Sequence, residues 1–226
     1  MKCMFGTPKK QVIDHRTIKL IVGLIALTLA GLTNFFSGNT IPSISASYYE
    51  GGWSQSIFVG FLFAVAACLL SYNGWTRTEM ILSKIAAVTA LGVALFPCKC
   101  NVHVELIPYV HGLSAAIMFL ILAYFCYRFF IRARDKGHMQ AYSRAAIYAI
   151  CGLLILTSIV ALATDNFTGG SISAMIPRFT FYGEATGLTA FGVSWLTASH
   201  VLPFFNRAKD ELFLPFADQV PDDGSK

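Results

Sequence analysis

Glu184 sits inside an apolar run at residues 179–202, with Arg178 just before it and Arg207 just beyond. If the run is helical, Glu184 lies roughly 8 Å inside its start. A carboxylate at that depth must be paired, protonated or turned toward water. Helical spacing puts Gly187 and Leu188 on its side, and Gly183 with Gly187 forms a G-x-x-x-G that admits a neighbouring helix at short range. Glu184 is therefore either a hydrogen-bonding pin between helices or a group for binding or proton transfer. His111 opens another apolar run, two residues after Tyr109 and at a comparable depth. A Glu–His pair can run acid–base chemistry near neutral pH, whereas a lone His at a helix end serves as a hydrogen-bonded structural residue. Spacing leaves both open.

The string Cys98-Lys99-Cys100-Asn101-Val102-His103 gathers two thiols and an imidazole. Three readings follow. Cys98, Cys100 and His103, with or without His111, have the ligand chemistry for zinc or copper, although C-x-C-x-x-H lacks the C-x-x-C spacing of a zinc knuckle. The two thiols could instead form a disulfide, or stay unpaired. Cys68, Cys126 and Cys151 fall within apolar runs and read as small buried hydrophobes. Residues 37–55 contain no Lys or Arg but carry Tyr48, Tyr49, Glu50, Gly51, Gly52 and Trp53. That composition suits an interfacial aromatic belt with a glycine turn, or a lid that touches a ligand. Asp165 and Asn166 read as a helix end and turn, and Arg178 as an interfacial cation within reach of Glu184. His200 lies near the opposite end.

The elements that position these residues follow from hydropathy. Of 226 residues, 55% are hydrophobic and 13% charged, with a mean hydropathy of +0.60, which a water-soluble domain does not carry. The apolar residues fall in six blocks, 18–36, 56–72, 80–97, 109–130, 144–163 and 179–202. Each is close to the twenty or so residues that a helix needs to cross roughly 30 Å of hydrocarbon. The expectation is an all-α integral membrane protein, a six-transmembrane-helix bundle over 18–202. A basic N-terminal segment, 1–17, and a C-terminal tail, 203–226, flank it. The first block is longer than a secretory signal core and is read as a span.

Of the 17 Lys and Arg, 15 lie in the terminal segments, the even-numbered connections or the block ends that adjoin them, leaving Lys99 and Arg178 on the other side. The positive-inside rule then places both termini in the cytoplasm. The net charge of +5 is accounted for by anionic lipid facing these residues, without nucleic acid.

The strings SISASYYEGGWSQSIFVGFLFA, SYNGW, ALGVALFP, VHGLSAAIMFLILAYF and EATGLTAFGVSWL, spread over 43–196, together resemble a family of uncharacterised bacterial six-helix membrane proteins. That family is itself distantly similar to the DRAM/Sfk-type membrane families. The resemblance implies the six-span architecture and a recurrent Ser-Tyr-Tyr loop, span-four His and span-six Glu, here Tyr48, Tyr49, His111 and Glu184. Where those relatives carry His-Thr and Arg-Asp after the tyrosines, this chain has Glu50-Gly51-Gly52-Trp53.

The functional expectation is a non-enzymatic protein that binds a lipid headgroup or small amphiphile in an outward-facing pocket, through Glu184, His111, Tyr48, Tyr49 and Glu50. One alternative is a metal-assisted membrane hydrolase, for which no H-x-x-x-H or H-E-x-x-H is present. The other is an accessory subunit of a homo-oligomer or larger membrane complex.

Overall fold

A computed structural model gives the fold and describes residues 14–100 and 106–201. His103, Cys3 and the tail at 203–226 lie outside the described residues, as does most of the 1–17 segment. Among the described residues there are helices and no strand. The elements are α1 (His15–Phe35), a 3-10 turn (Ser45–Tyr49), α2 (Gly52–Ser71), α3 (Arg77–Leu95), α4 (Val110–Arg134), α5 (Met139–Phe167), the short α6 (Ser171–Met175) and α7 (Phe179–Ser199).

Each apolar block coincides with a long helix, and most of the helices outlast the block. α4 continues through Arg132 and Arg134, whose charges suit the negative end of its dipole and whose stems lie along apolar surface. Three helices start on side-chain caps. Asp14 accepts the Arg16 N–H at 2.9 Å, Thr76 the Glu79 N–H at 3.2 Å, and His138 Nδ1 the Ala141 N–H at 3.2 Å.

Five helices, α1 to α5, are long and apolar enough to cross a membrane. Only 28% of the most apolar stretch of α2, and of α5, is buried within the protein. Large side chains such as Phe63, Val88, Leu153 and Val160 face outward, and an apolar exterior on this scale calls for an apolar solvent. α7 is not among the five. It matches α1 in length, 21 residues, but 11 of its residues are buried against 7 in α1. Ser194, Thr197 and Ser199 are tolerated because neighbouring helices, not lipid, surround them.

The long helices pack in chain order, α1 on α2, α2 on α3, α3 on α4, α4 on α5, α5 on α7, and α7 back on α1, which closes a ring. Aromatic side chains fill its middle. Trp195 lies 5.1 Å from Phe191, 5.3 Å from Tyr72 and 5.9 Å from Phe125, centroid to centroid. α1 and α7 approach closely through facing glycines. A Cβ on Gly192 would come within 2.9 Å of the Gly23 carbonyl oxygen, and one on Gly23 within 3.1 Å of the Gly192 oxygen. The close approach expected at Gly183 and Gly187 lies elsewhere: those two glycines receive side chains of different helices, Leu162 from α5 and Phe119 from α4.

Candidate functional site

The connection between α1 and α2 does not lie flat at an interface, as a simple belt would. Ile41, Ile44, Ala46 and Ser47 are buried, and Ile41 and Ile44 join Leu29, Phe58, Leu62, Phe181 and Leu188 in one apolar cluster. The segment is re-entrant, a short plug in one end of the ring. Gly51 and Gly52, at φ of 70° and 54°, turn it out again into α2, and Trp53 is exposed.

Glu184 holds this plug. The partly buried carboxylate accepts the Ile44 N–H at 2.5 Å and the Ser45 N–H at 3.3 Å on Oε2, and the Ser45 hydroxyl at 2.9 Å on Oε1. These are backbone donors that a tight turn cannot satisfy internally, and a carboxylate is a strong acceptor for them. His111, buried at the start of α4, meets Ser45 Oγ from Nε2 at 3.1 Å and the Phe96 carbonyl from Nδ1 at 2.8 Å. Glu184 and His111 are thus joined through one serine hydroxyl. Sequence spacing suggested their common depth but gave no hint that Ser45 links them.

The hydrogen count in this chain is restrictive. A carbonyl only accepts, so His111 donates from Nδ1 to Phe96. Ser45 has one hydroxyl hydrogen for two partners. In one arrangement an imidazolium donates from Nε2 to Ser45, which donates to a Glu184 carboxylate. In the other, neutral His111 accepts from Ser45, which accepts from a protonated Glu184. The two contain the same number of hydrogens and differ by one proton moved between Glu184 and His111 through Ser45. Acid–base exchange is the chemistry that the arrangement can perform.

The remaining candidates surround the plug. Tyr49 donates its hydroxyl to the Cys98 carbonyl at 2.8 Å, and Tyr48 packs edge-on against it at 5.4 Å. Glu50 is exposed, accepts from Ser37 Oγ at 3.2 Å, and makes no hydrogen bond to Glu184 or His111 among the described residues. Cys98 and Cys100 form a disulfide, with Ser43 Oγ 3.7 Å from Cys100 Sγ. Paired in this way neither sulfur is a thiolate ligand, and no group of three or more His, Cys, Asp or Glu suited to a metal occurs among the described residues. The bridge spans two positions, so the loop entropy it removes is small. A Cys98→Ser/Cys100→Ser double variant is expected to melt within about 1 kcal/mol of the parent in detergent, measured by thermal unfolding.

Arg178 does not pair with Glu184. It reaches the Ile41 carbonyl at 3.1 Å and Asn34 Oδ1 at 2.6 Å, and its guanidinium lies 4.1 Å from the Phe181 ring centroid. Its backbone is left-handed at φ 62°, a conformation unfavourable for a side-chain-bearing residue that these contacts offset. Asp165 accepts the Ile172 and Ser173 N–H groups at 2.9 Å each and forms a turn, apart from the Glu184 chain. His200 lies at the other end, 3.1 Å from Arg144.

That other end has a second polar centre. Glu79 is fully buried and accepts from Arg128 at 2.9 Å, from Arg132, and from the Trp75 N–H at 2.9 Å. Gly74 permits this, since at φ 61° a Cβ would stand 2.5 Å from Glu79 Cβ. Lys19 is buried nearby, its ammonium over the Tyr72 and Phe129 rings at 5.8 and 5.2 Å. Charge counting treats these residues as cytoplasmic cations. The available signal was Thr76-Arg77-Thr78-Glu79, the S/T-x-x-E pattern that opens a helix and directs a glutamate back toward the preceding turn.

Compared with known proteins, the chain matches no protein-family model, no curated protein and no solved structure.

Proposed function

We propose that the chain is a six-span protein of a bacterial inner membrane, with both termini in the cytoplasm, and that its Glu184 end binds a lipid headgroup or small amphiphile. In this reading α7 is the sixth span. Support comes from its 21-residue length and its packing between α1 and α5, two helices of spanning character. The 15 of 17 basic residues on one side support the orientation.

The observation that carries the binding reading is the plug itself. It is a short segment without Lys or Arg, held by Glu184 and His111 through Ser45, with Tyr48, Tyr49 and Glu50 at its outer edge. Displacing it takes Ser45 away and uncovers the Glu184 carboxylate and the His111 imidazole together at headgroup level. Such groups recognise an ammonium, hydroxyl or phosphate headgroup through charge-assisted hydrogen bonds. The metal-assisted and accessory-subunit readings have no comparable observation in their favour.

Native mass spectrometry of the purified protein tests this. Wild type is expected to retain an amphiphile. Tyr49→Phe and Glu50→Gln, which leave the Glu184 hydrogen bonds in place, are expected to lower that occupancy several-fold, Glu50→Gln at an unchanged melting temperature and Tyr49→Phe with a loss of about 1 kcal/mol for its bond to the Cys98 carbonyl. Glu184→Gln keeps the size but weakens the acceptor for two N–H groups and is expected to lower both occupancy and melting temperature, by about 1–3 kcal/mol in stability. If Tyr49→Phe and Glu50→Gln leave occupancy unchanged, the plug is a structural closure and the binding reading fails.

A further inference from the structure

The Glu79 end contains a cluster of buried donors that lack acceptors. Tyr72 Oη, beside the Arg132 guanidinium, and Trp195 Nε1 are buried with no acceptor for their hydrogens, and the buried His15 Nδ1, a donor in one tautomer and an acceptor in the other, has no partner. Lys19, 8% exposed, is held by cation–π contacts with Tyr72 and Phe129 and has neither a hydrogen bond nor an ion pair among the described residues. These groups come from α1, from the residue after α2 and from α7, yet they adjoin the same rings. His15 meets Tyr72 edge-on at 5.3 Å, Trp195 lies 5.3 Å from Tyr72 and 6.2 Å from Phe129, and Lys19 lies over both. Buried donors left unpaired cost about 1–3 kcal/mol each, and a fold does not gather several at one place without something to accept from them.

Charge says what kind of acceptor. Lys19, Arg128 and Arg132 are three cations with one buried carboxylate, Glu79, among them, and Glu79 is already committed to both arginines and the Trp75 N–H. Water would satisfy one or two donors but leave the excess positive charge. An anionic oxygen group satisfies both. Lys19 is the fifth residue of α1, Glu79 the third of α3, Arg132 the third from the end of α4, and Tyr72 directly follows α2. All stand within about two turns of helix ends on one side of the ring, the level at which lipid phosphates lie. Basic pockets between spanning helices on the cytoplasmic side are suited to anionic headgroups.

We infer that the Lys19–Tyr72–Trp195 cluster, with Arg132 at its edge, binds the phosphate group of an anionic phospholipid. This site is separate from the Glu184 end and its lipid is held by donors, not by a carboxylate. It rests on the membrane reading above but not on the plug, and a detergent experiment addresses it without reference to orientation.

Delipidated full-length protein is titrated with phosphatidylglycerol, with phosphatidylcholine of the same chains, and with inorganic phosphate. Binding is read by native mass spectrometry and melting temperature. Wild type is expected to retain phosphatidylglycerol at least tenfold better than phosphatidylcholine, and Lys19→Met to lose most of that preference. Tyr72→Phe keeps the ring and removes one unpaired hydroxyl. Without lipid it is expected to melt at or above the wild-type temperature, and yet to bind phosphatidylglycerol several-fold more weakly, a combination that a purely structural tyrosine would not give. Equal retention of the two lipids overturns the inference, as does unchanged phosphatidylglycerol binding in Tyr72→Phe. Stabilisation by inorganic phosphate equal to that by phosphatidylglycerol overturns the assignment to a lipid.

Discussion

Glu79→Ala is expected to lower the stability of the detergent-solubilised protein by about 3 kcal/mol, the size seen when one partner of a buried ion pair is removed. The reason lies in what stays behind. Arg128 and Arg132 would keep their charges, with side chains 29% and 25% exposed, and the Trp75 N–H would lose its acceptor. Lys19 would lose one of the two carboxylates, Glu79 and Asp14, that offset its neighbouring cations. Arg128→Ala is the matching control. Its side chain is the more exposed of the two, Arg132 continues to neutralise Glu79, and the loss should stay below about 1 kcal/mol. Thermal unfolding of both variants in one detergent reads the difference, and equal melting temperatures would show that Glu79 does not organise that end of the bundle.

The second large effect concerns two glycines and one methyl group. Ala is the better helix former by about 1 kcal/mol, so Gly→Ala in a helix is stabilising unless the new Cβ collides. At Gly183 the neighbour is the end of the Leu162 side chain, at 2.8 Å, which can rotate away. Gly183→Ala should be neutral or mildly stabilising. At Gly192 the neighbours are Leu27 Cγ at 2.7 Å and the Gly23 carbonyl oxygen at 2.9 Å, and the latter moves only with α1 itself. Gly192→Ala should therefore cost about 2 kcal/mol, as overpacking against backbone does. Loss of stability at Gly183 and none at Gly192 would invert this account of how α1 and α7 cross.

These cases also mark how far the sequence could be read. Helix positions were legible because a helix crossing hydrocarbon must be apolar for about twenty residues, a signal that needs no tertiary knowledge. The limits of helices were less so, since α4 runs on through Arg132 and Arg134, whose long stems leave hydropathy uninformative, and α5 adds Met139–Ser143 and Thr164–Phe167, where polar residues break the apolar run. Gly183-x-x-x-Gly187 and the true crossing at Gly23 and Gly192 look alike in one dimension, because which neighbour a glycine meets depends on rotation about the helix axis.

At the candidate site, Glu184 and His111 stood out as polar residues in apolar runs, and both lie on one hydrogen-bonded chain. Ser45 did not stand out, since serine is ordinary in a loop and only the re-entry of residues 41–47 gives it two titratable partners. Glu79 and Lys19 were hidden for the opposite reason. They sit at the ends of apolar runs, where a charged residue is expected to be solvated, and burial there comes from the convergence of α1, α3, α4 and α7.

The closed ring has a bearing on biogenesis. Five of its contacts join helices that are neighbours in the chain, but the last joins α7 to α1 across most of the sequence, as the Arg178–Asn34 hydrogen bond shows with its partners 144 positions apart. During synthesis α1 emerges first and waits for that partner, with Gly23 and Leu27 uncovered and the 41–47 segment lacking Glu184. Contacts so distant in sequence form late and slowly. A chain without α7 would leave the α1 surface at Gly23 and the Ile44–Ser45 N–H groups without these partners. Chains truncated before α7 are expected to be substrates for membrane quality control.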